Sequence, residues 1–216
     1  MSQILKDLFS KANVRDYPKG QIVLYEGDMV KKLHFLEEGY IKVYSLLGAS
    51  KDERIIFIYG PDDIFPLTSY LTGAGTVRYF YECMSKVKMR IMDVSAFDKQ
   101  IAGNITVGEE LVKYSYNNNR QFIQRIDILS VNDARRKVVA LLLFLVAKTG
   151  AQDSGKIDLP LTTQEIADMC AISRETASAQ LHRLREENVL SGSKALTVDT
   201  AKLEKLKTKY SIPKFT

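Results

Sequence analysis

Residues 161–190, LTTQEIADMCAISRETASAQLHRLREENVL, hold the side chains of this chain best suited to a chemical task. At helical spacing, Arg174, Glu175, Ser178, Ala179 and His182 share one polar face. An arginine can pair bidentately with guanine O6 and N7, a glutamate can accept from a cytosine amino group, and an alanine can pack on a thymine methyl. Arg174, Glu175, Ser178 and Ala179 are therefore candidate contacts to DNA base edges. Thr163, Gln164, Ser173 and His182 are candidate phosphate contacts.

Such residues need a scaffold, and the neighbouring sequence supplies one. Thr162 followed by Glu165 forms a capping box, so a helix should start there. Ile166 and Met169 give that helix an apolar side. Cys170, Ala171 and Ile172 are expected to form a turn, and Ser173 to cap a second helix. Ala177, Leu181 and Leu184 then fall on one inward face. The pattern predicts a helix-turn-helix that offers its second helix to a major groove. An ordinary helical hairpin with a solvated face has the same spacing.

The chain has 216 residues, enough for two modest domains, and its 45% hydrophobic and 26% charged composition is that of a soluble globular protein. A net charge of +5 and a pI near 9.0 fit a nucleic-acid partner but do not identify one. The 2 cysteines, Cys83 and Cys170, form neither a CxxC pair nor a disulfide framework, as expected in a reducing cytoplasm. The start, MSQILKDLFSKANV, has no signal-peptide apolar region. The apolar run at residues 138–147 is too short to span a bilayer and reads as a core helix, so no membrane association is expected. The 2 histidines and scattered carboxylates form no nucleophile–base pair, metal cluster or phosphate loop, so the chain is not expected to be an enzyme.

A short amphipathic helix is expected at residues 3–12. From Gly20 to about Asp93 the apolar period becomes two, with Ile41 and Val43, then Ile55, Phe57 and Tyr59, then Val77, Tyr79, Tyr81 and Cys83 as examples. Turn signals such as Glu38-Gly39 and Gly60-Pro61-Asp62-Asp63 separate the runs, which argues for an antiparallel barrel or roll. Ser95 is an expected cap for a helix beyond it. A long helix should follow at about residues 106–130, with Val107, Leu111, Tyr114, Asn118, Phe122 and Leu129 along a heptad-like stripe. That stripe fits either a partner helix or the helix's own roll. Asn132 is the expected cap of the next helix. Residues 150–155 read as a polar loop, and SGSKALTV, after Leu190, as a small β-hairpin. The tail carries Lys202, Lys205, Lys207, Lys209 and Lys214, which are either phosphate contacts or a solvated face.

TTQEIADMCAISRETASAQLHRL resembles the helix-turn-helix of the Crp-Fnr regulators, the family of the cyclic-AMP receptor protein. Upstream, KGQIVLYEGD and LHFLEEGYIKVYS resemble the opening strands of that family's β-roll, so the resemblance covers nearly the whole chain. It implies an α+β fold in three parts. These are an antiparallel, cyclic-nucleotide-binding-like β-roll sensor at 1–105, a dimerisation helix at 106–131, and a winged helix-turn-helix DNA-binding domain at 132–216. It also implies a cytoplasmic homodimeric transcription regulator that binds double-stranded DNA at a pseudo-palindromic operator, with RNA polymerase as a further partner. A small-molecule-binding module with vestigial DNA contact is the alternative.

The sensor half departs from the family pattern. Where the family has Gly-Glu-Leu, whose carboxylate holds the ribose, this chain has Pro66-Leu67-Thr68. Arg78 is shifted by one from the family's phosphate-binding arginine, and Tyr79 replaces the small residue after it. Cyclic AMP is therefore not expected as the effector, and no cofactor is expected. Two cysteines are too few for an iron–sulfur cluster. His34 and Cys83 could in principle ligate haem, but a strand histidine and a small core residue are the plainer readings. Leu67, Tyr70, Arg78, Tyr79 and Asn118 remain candidates to line an effector pocket. The recognition segment departs too. Ala179 stands where many relatives have a second arginine, so their half-site does not transfer unchanged.

Overall fold

The computed structural model describes residues 1–47, 52–192 and 196–212. The chain forms two compact units, residues 1–45 with 56–121 and residues 46–55 with 122–216. Helix α1 (Gln3–Leu8) precedes strands β1 (Asn13–Tyr17), β2 (Ile22–Leu24), β3 (Lys32–Glu38), β4 (Ile41–Leu47), β5 (Asp52–Tyr59) and β6 (Ile64–Phe65). Helix α2 (Leu67–Leu71), strands β7 (Phe80–Cys83) and β8 (Val87–Asp93), and helices α3 (Val94–Ile101) and α4 (Ile105–Ser130) follow.

The strands make two sheets with antiparallel pairing, ordered β1-β8-β3-β6 and β2-β7-β4-β5. Strand β1 lies at an edge and is almost wholly exposed, so it has no apolar alternation to betray it; period-two patterning placed the first strand only after Gly20. The Glu38-Gly39 turn requires glycine. Gly39 has φ +87°, and a Cβ there would lie 2.3 Å from the Lys86 carbonyl oxygen.

Strands β3 and β4 bury residues of both parities: Leu33 with His34 and Phe35 with Leu36 on one, Ile41 with Lys42 and Val43 with Tyr44 on the other. Alternation fades where both faces of a strand are covered. Rings contributed by both sheets pack together. Phe65 of β6 stacks on His34 of β3 at 5.0 Å, and on Tyr59 of β5 and Tyr81 of β7 at 5.4 Å each. Burial lowers the His34 pKa to about 4, against a hydrogen bond to the Phe65 backbone that raises it. A second cluster joins Leu5 of α1 and Phe9 at its C-cap, Phe35, Ile64, Leu67, Phe97 of α3, and Val107, Leu111 and Tyr114 of α4.

Of the two readings of the α4 stripe, that cluster shows packing on the chain's own roll for its first half. Val107, Leu111 and Tyr114 belong to the chain's own core, and the Tyr114 hydroxyl accepts from the Ile64 backbone N–H at 2.7 Å. The outward apolar residues are Ile105, Val112, Tyr116, Ile123, Ile126 and, from the expected stripe, Leu129, between 42% and 78% exposed. Two caps also differ from expectation. Asp93, not Ser95, stands at the N-cap of α3, and Asp133, not Asn132, caps the next helix by accepting from the Arg136 N–H.

The second unit contains α5 (Ala134–Thr149), β9 (Lys156–Ile157), α6 (Thr163–Cys170), α7 (Arg174–Glu186), β10 (Leu190–Ser191), β11 (Leu196–Val198) and α8 (Thr200–Tyr210). Helix α5 buries every residue from Val138 to Val146, as the apolar run predicts for a central helix. The expected hairpin is β10 with β11, and β9 adds a third strand in the order β10-β11-β9. Gly155 makes this docking possible, because a Cβ there would lie 2.1 Å from the Val198 carbonyl oxygen. Residues 193–195 of the expected hairpin segment and Lys214 lie outside the described residues. Among the described residues no helix is long and apolar enough to cross a membrane. The fold is α+β: antiparallel sheets, a long helix and a C-terminal helix-turn-helix.

Candidate nucleic-acid interface

Local interactions set the two helices of the motif. Thr162 Oγ1 accepts from the Glu165 N–H at 3.1 Å, and Glu165 Oε2 accepts from the Thr162 N–H at 2.8 Å, completing the capping box of α6. Helix α6 runs through Cys170, one residue into the expected turn. It ends at Ala171 in the left-handed region with φ 50°. Ser173 Oγ then accepts from the Thr176 N–H at 3.1 Å and starts α7. Ala177, Leu181 and Leu184 are 0%, 2% and 0% exposed, so the inward face of α7 is settled.

Arg174, Glu175, Ser178, Ala179 and His182 are all exposed, as that burial requires. Their order along α7 puts Arg174 and Glu175 in its first turn. The Glu175 carboxyl is held below the usual range by its own backbone N–H, the Ser173 hydroxyl and the Arg174 charge. It is thus an ionised acceptor at neutral pH. The phosphate candidates are placed less uniformly. Gln164 is exposed, but its amide donates to Asp168 Oδ1 at 2.8 Å. Thr163 is half-buried in the first turn of α6. The Ser173 hydroxyl is engaged as a cap, and His182 Nε2 lies 3.3 Å from Glu186 Oε1.

Within this unit a polar cleft of about 780 Å³ opens beside the motif, lined by Glu53, Arg54, Gln164, Asp168, Ser173 and Arg174 among others. Arg54 Nη1 lies 3.8 Å from Asp168 Oδ1. Sequence reasoning missed Glu53 and Arg54, since nothing local in β5 signals a partner so distant along the chain. Much of the basic tail is used internally. Lys202 Nζ donates to the Asn188 carbonyl at 3.2 Å, just past the end of α7, and Lys207 pairs with Glu204 at 2.7 Å, while Lys205 is exposed.

Of the effector candidates, Leu67, Tyr70 and Asn118 meet at the α1–α4 core, and Arg78 and Tyr79 lie outside it. Leu67 is 3% exposed inside the α1–α4 core, and Tyr70 packs against that core and donates to Asp98. Arg78 is exposed in a bend, Tyr79 is half-buried, and Asn118 hydrogen-bonds the Tyr114 hydroxyl.

Known proteins carry the same parts. Residues 14–104 match the cyclic nucleotide-binding domain and residues 136–206 the Crp-like helix-turn-helix domain. The cyclic AMP receptor protein of Thermus thermophilus is 28% identical over 82% of this chain and 78% of its own length. The CRP-like cAMP-activated global transcriptional regulator of Mycobacterium tuberculosis is 27% identical over 77% of this chain and 74% of its own. In the solved structures, FixK2 from Bradyrhizobium japonicum superposes with a TM-score of 0.79 at 21% identity, covering 90% of this chain and 96% of that one. Both family domains are present, in order, around a long helix, and the chain belongs to the Crp-Fnr family of DNA-binding transcription regulators.

Proposed function

We propose that the protein acts as a homodimer on a pseudo-palindromic operator, that α7 reads base edges there, and that cyclic AMP is not its effector. The observation that carries the DNA reading is the exposed face of α7, with Arg174 and Glu175 in the first turn and the leucines behind them buried. Paired modules would meet half-sites about one helical turn apart. That intact groove-side set argues against a vestigial DNA contact. The dimer reading rests on the outward stripe of α4, Val112, Tyr116, Ile123 and Ile126, which is too apolar for a permanently solvated helix face. RNA polymerase is the expected further partner of a regulator of this family.

Independence from cyclic AMP is supported by the cassette residues. Pro66-Leu67-Thr68 offers no carboxylate to a ribose, Leu67 is committed to a core, and Arg78 is exposed. Two relatives are named for cyclic AMP, but the residues that would bind it are not all kept here. Selection of binding sites from random duplex DNA should return a two-fold sequence. Sedimentation should show a dimer at micromolar concentration, and Ile123→Glu should give a folded monomer by placing a charge in the apolar seam. Calorimetry should detect no micromolar binding of cyclic AMP. A monomer that still selects DNA, or tight cyclic AMP binding, overturns the corresponding part.

A further inference from the structure

Arg125 is the most deeply buried arginine of the described residues, and neither base reading nor the α4 stripe uses it. It lies on the inward side of α4 with Gln124 and Ile128, and is 3% exposed in the single chain. A second copy across the outward stripe therefore does not reach it. Nη2 donates to the Met169 carbonyl at 2.7 Å, in the last turn of α6, where the helix dipole favours a cation. The guanidinium carbon stands 5.9 Å from the centre of the Phe144 ring on α5. Nε and Nη1 have no acceptor among the described residues, and burial lowers the guanidinium pKa to about 10.

As a stabilising device this is a poor arrangement. A buried cation is costly unless it is paired and its donors are satisfied, and an apolar side chain of similar volume often does as well or better. What the guanidinium adds is direction. It ties α4 and α5 to one carbonyl, two residues before Ala171, whose left-handed backbone sets the path from α6 into α7. The Ile172 N–H closes the same turn onto the Ala167 carbonyl at 3.1 Å, so α7 follows α6 closely.

We infer that Arg125 is a positioning residue: it sets the angle at which α6, and with it the recognition helix, docks on the end of α4. This rests on the reading of α7 as the base-contacting helix. Cys170 supplies an independent reporter. It follows Met169, is 0% exposed, and should react with an alkylating reagent only when the end of α6 lifts. Cys83, also 0% exposed but in the other unit, reports opening elsewhere.

The test compares the full-length protein with Arg125→Met and Arg125→Lys. Thermal melting, the rate at which iodoacetamide labels each cysteine in the native protein, and affinity for duplexes selected by the unaltered protein are measured. Arg125→Met should melt no lower than the unaltered protein, yet label Cys170 about tenfold faster with Cys83 unchanged, and bind DNA about tenfold more weakly. Arg125→Lys retains a donor for the Met169 carbonyl and should recover part of both losses. If Arg125→Met leaves Cys170 labelling unchanged, or lowers the melting temperature and exposes both cysteines together, the positioning role is wrong. If the unaltered protein selects no DNA sequence, the DNA reading fails, while Cys170 labelling still decides the docking role.

Discussion

The roll interior and the outer face of α7 use their side chains in opposite ways. In the roll, His34, Tyr59, Phe65 and Tyr81 are 5%, 6%, 0% and 5% exposed and stack on one another, so each ring is held by the space around it. On α7, Arg174, Glu175, Ser178 and Ala179 are exposed, and only the cap and the leucines behind them fix their position. The first region should respond to substitution through stability and the second through recognition. Rings fill the interior of the first unit, while the outer face of α7 in the second stays open.

The largest effect should come from the ring stack. Phe65→Ala should destabilise the protein by about 3–5 kcal/mol in urea denaturation, while the folded fraction keeps its DNA sequence preference. A loss below about 1 kcal/mol would mean that the interior is not packed as a stack. His34 gives the next effect, through pH. Its folded pKa of about 4 lies below the ordinary 6.5, so between these values the unfolded chain binds more protons. Its contribution is therefore fully present above about pH 6.5 and is lost as pH falls through about 4, a difference of about 3 kcal/mol. His34→Gln should flatten that part of the stability profile, and an unchanged profile would show that His34 titrates normally.

On α7 the comparison reverses. Arg174→Ala should leave the melting temperature unchanged but remove about 1–3 kcal/mol of discrimination at one symmetric pair of operator positions. An equal loss for every sequence would make Arg174 a phosphate contact. The smallest effect is expected at Lys205. Lys205→Ala should leave the selected sequence unaltered, and if Lys205 meets a phosphate the slope of log affinity against log salt should shrink by roughly one. A changed sequence preference would place Lys205 at a base instead.

The helix-turn-helix was legible because its determinants are local. A capping box spanning four residues, a serine cap and apolar residues one helical turn apart specify where two short helices start and which way they face. Thr162, Glu165, Ser173 and Leu181 all stand as that reading requires. Much of the roll was legible in the same way, through alternation and turns. Its exceptions are instructive: β1 lacks alternation because it is an exposed edge, and Lys42, between Ile41 and Val43, is buried although charged. Lys42 is 6% exposed and pairs with Glu82 directly across the β4–β7 ladder, with Nζ 3.5 Å from Oε2.

The sequence by itself determined the two helices of the helix-turn-helix, the family resemblance, and which residues share the exposed face of α7, because the helices and that face depend on neighbours a few positions away. Only the tertiary structure decided which side of α4 is core and which is open. Leu111 and Val112 are adjacent and equally apolar, and their fates differ because the first meets α1, α3 and the sheet while the second meets none of that core. Likewise, Arg125 and Arg54 carry no local sign of their roles. Met169 and Asp168, their partners, lie far along the chain and come within reach only once the chain has folded. A helix's period states which residues share a face, but the free energy that selects the buried face comes from the surface it meets.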